Sequence, residues 1–274
     1  MTNELKLNHT VNDSTTQVGN CVATVIACTK NPMNSRVITT LELIYPRFIH
    51  SEFMTHRMFS RNASSSRAIP IHRLIEEATV TPTHWMPNGK GMVNNSEITD
   101  ATEIEMYETA WELARTGAIR NAKNLESLGL HKQIVNRLLE PFSFIKVVVT
   151  ATDWDNFFKL RLADDAEPHM RDLAKAMKDA MDRVVPVVGF IHAPYCEEGY
   201  KIAPISAARC ARVSYNKHDG TKPSPDDDIK LAGILMDGHH MTPFEHFCYA
   251  TSKDDYHANL KGWYSHRYKI EHGV

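Results

Sequence analysis

The residues best able to do chemistry crowd into one stretch, residues 55–73, THRMFSRNASSSRAIPIHR. His56, Arg57, Arg61, Arg67, His72 and Arg73 alternate there with Ser60, Asn62, Ser64, Ser65 and Ser66. Small hydroxyl residues let a ligand approach the backbone closely, and their N–H and O–H groups donate to phosphate oxygens. Arginine adds bidentate, charge-assisted bonds to the same oxygens. The pattern suits an anion pocket sized for a mononucleotide phosphate, and equally a solvated basic loop. It suits nucleic acid less well: Phe59 is the loop's one aromatic for base stacking, and the chain carries a net charge of −2.

Strands before such a loop and helices after it must hold it in place. Residues 21–28 (CVATVIAC) are an apolar run of strand length, and 37–45 (VITTLELIY) a β-branched one, with turn chemistry at Asn31-Pro32 and Asn34-Ser35 between them. After Pro46, residues 47–57 have the spacing of a short helix with Phe48, Ile49, Phe53 and Met54 on its apolar side, and 60–70 read as a small-polar loop. From about 100 to 128, Ile104, Tyr107, Trp111, Ala114 and Ala118 recur at helical steps, with Thr99 or Asp100 as N-cap and Gly129 as stop. Further helices are predicted over 165–184, with Met170, Leu173, Met177 and Met181 inward, over 226–236 with an acidic start, and over 259–270. Early strands followed by helices predict an α+β fold rather than alternating βαβ units. Pro186, Pro194 and Pro204 loosen 185–204 without marking a clear boundary, so a flexible arm over 1–20 and one domain over 21–274 are expected.

The chain's 274 residues, 42% hydrophobic and 23% charged, suffice to bury a core without metals or disulfides. Its five cysteines, Cys21, Cys28, Cys196, Cys210 and Cys248, are odd in number and form no CxxC pair, which argues for reduced thiols. The spacing of His239, His240 and His246 is not that of a zincin helix, and no metal is expected. No apolar run approaches the roughly 20 residues that span a bilayer, and the polar first 19 residues lack the apolar stretch of a signal peptide. A cytoplasmic protein without membrane or nucleic-acid partners is the expectation.

The spacing His56-Arg57-x-x-Ser60-x-Asn62-x-x-Ser65-x-Arg67 resembles the signature RHRxxSxNxxSxR of flavin-dependent thymidylate synthases. Thr55 stands where that signature has its first Arg, and Ala63 where an acid often follows the Asn. Residues 136–141 (NRLLEP) are similar to the family's ARxxLP element, and 154–161 (WDNFFKLR) with Ala166, Glu167 and Pro168 to its NFLxLR…AQxE region. Residues 209–215 (RCARVSY) and 238–246 (GHHMTPFEH) resemble RAARVSF…GHETPFEH, which opens ordinary members but lies near the C-terminus here. Circular permutation accounts for that order, and it is tolerated where termini lie close together at the surface. The likeness covers roughly 36–182 and 204–250.

This resemblance implies a mixed antiparallel sheet with long helices, circularly permuted, in homotetramers with shared active sites. It implies methylation of dUMP to dTMP with FAD as cofactor and NADPH and methylenetetrahydrofolate as co-substrates, without an enzyme nucleophile. Arg161 corresponds to the Arg that sits against the uracil ring; without the resemblance it would read as a surface ion pair with Asp164 or Asp165. Glu52, Thr55, Ser64, Ser65, Ser66, Arg67, Arg137 and Arg161 are the implied dUMP residues. His56, Arg57, Asn62, Asn156, Ser214, His240 and Thr242 are the implied FAD residues. Glu52 in place of the usual Gln, and Thr55 in place of Arg, leave open dCMP as substrate, a hydroxymethyl product, or a catalytically inactive nucleotide-binding protein. Residues 261–267 (KGWYSHR), outside the resemblance, suit a packed terminal helix or a further ligand wall.

Overall fold

The computed structural model describes residues 14–90, 96–197, 202–213 and 223–274. Its centre is a six-stranded sheet ordered β1 (Thr15–Val18), β2 (Cys21–Lys30), β3 (Val37–Pro46), β5 (Phe144–Ala151), β4 (Ser60–Ala63), with β6 (Val187–Val188) beside β2. Neighbours are antiparallel except the β2–β6 pair, and β2 carries a register shift between Val25 and Ala27. Because side chains alternate across a strand, Leu41, Leu43 and Tyr45 of β3 join Cys21, Ala23, Val25, Val147 and Val149 on one face. Ile38, Thr40 and Glu42 turn to the other. Strand β1 occupies 15–18 of the segment expected to be an arm, and residues 1–13 lie outside the described ones.

Helix α6 (Pro168–Asp182) covers the first face with Met170, Leu173, Ala174 and Met177, while Met181 packs there half-buried. It is shorter than the predicted 165–184, since Pro168 fixes the first turn and the Glu167 carboxylate caps it by accepting from Met170 N at 2.7 Å. The short α5 (Asp155–Arg161) adds Phe157 to the same core. Fully burying a side chain of this size contributes about 1.5–3 kcal/mol.

A second core lies under the segment after β4. There α2 (Ile71–Glu77), α3 (Ala101–Ser127) and α4 (Lys132–Val135) bring Ile69, Ile71, Leu74, Ala122, Val135 and Leu139 together. Asp100 caps α3 by accepting from Thr102 N and Glu103 N, and Gly129, at φ +82, follows its end, as the sequence predicts. Ala114, read as part of the buried face, is exposed instead.

The sheet's other face carries α7 (Ala203–Ala211) and, against it, α8 (Pro225–Asp237), which starts with a Ser224/Asp227 capping box. A small sheet, β7 (Ile191–His192), β8 (Cys248–Ala250) and β11 (Trp263–Ser265), and the ribbon of β9 (Tyr256–His257) and β10 (Leu260–Lys261) complete this side. The helix predicted over 259–270 is thus corrected to two strands and a short α9 (His266–His272). Gly262 explains the break: at φ +70 it packs so closely that an added Cβ would lie 2.6 Å from Asn34 Nδ2. Trp263 is fully buried with Ile38, Cys248 and Leu260 and is packing rather than a ligand wall, while Tyr264 and Arg267 stay half-exposed.

Two further predictions change. The loop predicted at 60–70 begins with strand β4, and the helix predicted over 47–57 shrinks to a 3-10 turn and α1 (His50–Phe53). Arg61 donates to the Phe53, Met54 and His56 carbonyls at 3.3, 3.0 and 3.1 Å, so these oxygens are satisfied without further helical turns. No described helix is long and apolar enough to cross a membrane.

Candidate active site

Strand β4 sets the site's layout by its two-residue period. Arg61 and Ala63 face the first core, while Ser60 and Asn62 face the C-terminal segments. Asn62 Nδ2 donates to the Cys210 carbonyl of α7 at 2.8 Å, and its Oδ1 accepts from the Thr242 hydroxyl at 3.3 Å. Asn259 Nδ2 donates to Ser60 Oγ and to the Met58 carbonyl, at 3.0 and 3.1 Å. Residues far apart in the chain therefore meet along four residues of one edge strand. Ser214, four residues past Cys210, lies outside the described residues.

At one end of β4, Arg161 closes off α5. Its Nε donates to His56 Nε2 at 2.9 Å and its Nη2 to Thr55 Oγ1 at 3.4 Å, while the Thr55 hydroxyl donates to the Glu52 carbonyl at 2.7 Å. The alternative of an ion pair with Asp164 or Asp165 is not what the structure contains. His56 accepts at Nε2, which makes it the neutral tautomer with its proton on Nδ1. Burial, then the Arg161 and Arg61 charges, push its pKa down to about 4. Phe59 stacks on the imidazole and Phe157 meets it edge-on, so the ring is held on three sides. The Glu52 carboxyl is raised above its ordinary range by burial and by Glu167, against the pull of Arg161.

The hydroxyl-rich loop follows at the other end. Ser64 is tied into the sheet, its N–H on the Lys146 carbonyl at 2.8 Å and its Oγ accepting from Lys146 N at 3.2 Å. Ser66 donates to Glu140 Oε1 at 2.5 Å, and Arg137 Nη1 donates to the same oxygen at 2.8 Å. The buried Asn136 amide bonds the Ser66 and Ile69 carbonyls, fixing the turn between them. Ser65 is half-buried and Arg67 exposed; neither side chain makes a hydrogen bond among the described residues. Arg47 reaches the loop from beneath, donating to Ser143 Oγ and the Ser64 carbonyl at 3.3 and 3.5 Å.

Three expected residues stand apart from these bonds. Arg57, Asn156 and His240 are exposed, and their side chains make no hydrogen bond among the described residues. Sequence reasoning also missed groups that matter. Glu140 occupies the position that the ARxxLP element gives to Leu, and that mismatch was its one visible signal. A buried chain runs from Thr29 through His192, Thr40 and Thr150 to His246, with contacts of 2.8, 2.7, 2.6 and 2.8 Å. It joins four strands, β2, β7, β3 and β5, and nothing in residue spacing announces it. Burial pushes both imidazoles down to about 3, so they stay neutral. Beside Lys146, a cavity of about 220 Å³ is lined by Glu42, Tyr195, Arg209 and Arg212 among others. Asp228, fully buried, accepts from both arginines at 2.9 and 3.2 Å.

The sequence profile of the family described as thymidylate synthase complementing protein, Thy1, matches residues 21–187. The chain belongs to that family. No curated protein matches it. A solved structure of the UMP/dUMP methylase PolB from Streptomyces cacaoi bound with 5-Br UMP is 13% identical, covering 60% of this chain and 89% of that one with a TM-score of 0.50. PolB bound with 5-Br dUMP is 16% identical over 54% of this chain and 67% of that one, with a TM-score of 0.46. At such identities the likeness is one of fold. The match to the thymidylate synthase complementing protein family ends before α7 and α8, yet Asn62 bonds α7 at Cys210 and α8 packs against α7.

Proposed function

We propose that this chain methylates dUMP at C5 to give dTMP, with methylenetetrahydrofolate as the one-carbon donor. FAD, reduced by NADPH, would supply the hydride that completes the methyl group. The observation that carries this reading is the Arg161–His56 pair beside a strand edge where Asn62 gathers Cys210 and Thr242. The donor set fits a flavin: Asn62 keeps one amide N–H after its bond to Cys210. Thr242 is bonded to Asn62 and exposed, while Arg57, Asn156 and His240 are exposed polar side chains assigned to the flavin, like Ser214, by resemblance alone.

In this reading the uracil ring lies against Arg161, whose guanidinium opposes charge developing on the pyrimidine as C5 becomes electron-rich. A cation already fixed by His56 and Thr55 does so without reorganising. Ser65 and Arg67, with the backbone about Ser64 and Ser66, hold the phosphate and Arg137 adds to it, with Glu52 and Thr55 beside the base. Residues 21–274 act as one domain, permuted relative to ordinary members, and the homotetramer implied by the family is retained.

Glu52 gives a specific reason to keep a second substrate in view. A carboxylate beside the base accepts a hydrogen bond from the exocyclic amine of cytosine, which uracil lacks. The test is turnover of dUMP and of dCMP by purified protein with methylenetetrahydrofolate and NADPH, after recording its flavin spectrum. A flavin band bleached by NADPH and dTMP formed from dUMP support the proposal. Product from dCMP alone overturns the substrate, and colourless protein that binds nucleotide without turnover overturns the chemistry.

A further inference from the structure

The 27 residues of α3 make it the longest described helix, and Ala122 alone among them is fully buried. Its inner side packs Trp111 against Phe48 and Phe142 and sets Ala118 and Ile119 on the second core. The opposite side carries Met106 and Leu113, 66% and 70% exposed. Ala110 and Gly117 complete that line, since residues four, seven and eleven positions on share a helix face. An added Cβ on Gly117 would meet nothing within 4 Å, so another backbone can come close there.

Charge is divided along the same helix. Glu103, Glu105, Glu108 and Glu112 occupy its first half; Arg115, Arg120 and Lys123 occupy its second, with Glu126 as the exception. Glu112 is taken by Arg115 and Thr116, whereas Glu105, Arg120 and Lys123 have no ion-pair partner among the described residues. The helix dipole favours acids in the first turn and bases in the last, but its effect fades within a turn. It leaves Glu105, Glu108 and Arg120 unexplained.

We propose that α3 pairs antiparallel with α3 of a second copy of this chain, about a two-fold axis close to Leu113. A two-fold interface must be complementary to itself, and a helix acidic in one half and basic in the other is complementary to itself only when antiparallel. In the register that sets Ala110 opposite the partner's Gly117, the small residues let the helices approach and the Leu113 side chains meet near the axis. Glu105 then falls within one residue of the partner's Lys123, on the same flank of the helix pair. A parallel pair would set Glu105 against itself. The inner side of α3 supports Ile69, Ile71 and Leu74, directly after the hydroxyl-rich loop, so the pairing braces that loop's floor. The proposal deepens the expected assembly by naming one of its surfaces, and it rests on no nucleotide or flavin.

The experiment is sedimentation velocity on the full chain, with circular dichroism as the check on folding. Wild type is expected to sediment as an even-numbered oligomer and Leu113→Arg as a species of half that mass, both fully folded. Glu105→Lys should raise the dissociation constant on the order of tenfold, and Lys123→Glu likewise, through like charges brought face to face. Combining the two should restore the wild-type value. A monomeric wild type overturns both the pairing and the assembly reading. A folded Leu113→Arg protein of unchanged mass, or a charge swap without rescue, overturns the α3 pairing and leaves assembly through another surface standing. Should Leu113→Arg fail to fold, the charge swap alone decides.

Discussion

The Thr242 hydroxyl donates to Asn62 Oδ1 at 3.3 Å, across 180 residues of chain. The same Asn62 amide donates to the Cys210 carbonyl, so one side chain on β4 clamps two C-terminal elements. The two bonds differ in consequence. Cys210 is buried and Thr242 exposed, so losing the first strands a carbonyl away from water while losing the second exposes a group that water can satisfy.

Asn62→Ala should therefore destabilise the fold by about 1–3 kcal/mol, and Thr242→Val by about 1 kcal/mol or less. Urea melts measure both. Equal losses would mean that Cys210 is not the anchored partner. In the proposed flavoprotein, Asn62→Ala should also lose bound flavin on gel filtration.

Arg161→Lys keeps the charge but loses the planar fork that spans His56 and Thr55. With the proposed role, kcat for dUMP should fall by about 10²–10³, the cost of removing one preorganised donor. His56→Phe, which keeps the packing against Phe157 but removes the acceptor, should lower kcat with little change in KM, and His56→Gln should recover part of it. Since His56 is held down to about 4, it should add no acid limb to the rate profile between pH 6 and 8. An acid limb near pH 6.5 that disappears in His56→Gln would contradict this.

Glu140 draws Ser66 and Arg137 onto one oxygen. In the proposed site, a nucleotide phosphate shares or displaces that contact. Glu140→Gln should tighten dUMP binding by about tenfold, the order of one unit charge acting at close range through water. Isothermal titration reads it. Weaker binding would assign Glu140 to orienting Arg137 instead.

His192 and His246 have folded-state values near 3 against an ordinary 6.5. The unfolded chain takes up their protons first, so their stabilising contribution is complete above about pH 6.5 and is lost as pH falls toward 3. His84 has the opposite sign: the hydrogen bonds it donates to Asp172, then Glu97, outweigh its burial and raise it. Its contribution is present below 6.5 and lost as pH rises through the raised value. Denaturant melts from pH 7.5 to 5 should thus show falling stability in wild type and a steeper fall in His84→Gln. A flat or rising profile in His84→Gln would contradict the buried pair.

The sequence made the sheet's first face legible because β2 and β3 are apolar runs bounded by turn residues. It made Asp100 and Gly129 legible because caps are local chemistry. The pairing of Arg161 with His56 was only half visible. The motif named both, but 105 residues separate them, and only α5, anchored in the first core by Phe157, brings them together. The C-terminal strands were misread because Trp263, Tyr264 and Arg267 also fit helical spacing; the tight contact at Gly262 that forbids a helix there is tertiary. The buried His192–His246 chain had no local signal, since its members come from four elements and are joined only once the layers close.

Because Ser60 is bonded to Asn259 across 199 residues, the exposed side of β4 waits a long time during synthesis. At about 5–20 residues per second, that is some 10–40 s in which the newborn strand offers Ser60 and Asn62 to any passing chain. The ribosome thus finishes the α6 half of the protein well before the α7 half exists to shelter it. A message broken after α6 would yield a protein with a near-complete first core and an uncovered β4, prone to clump rather than to work.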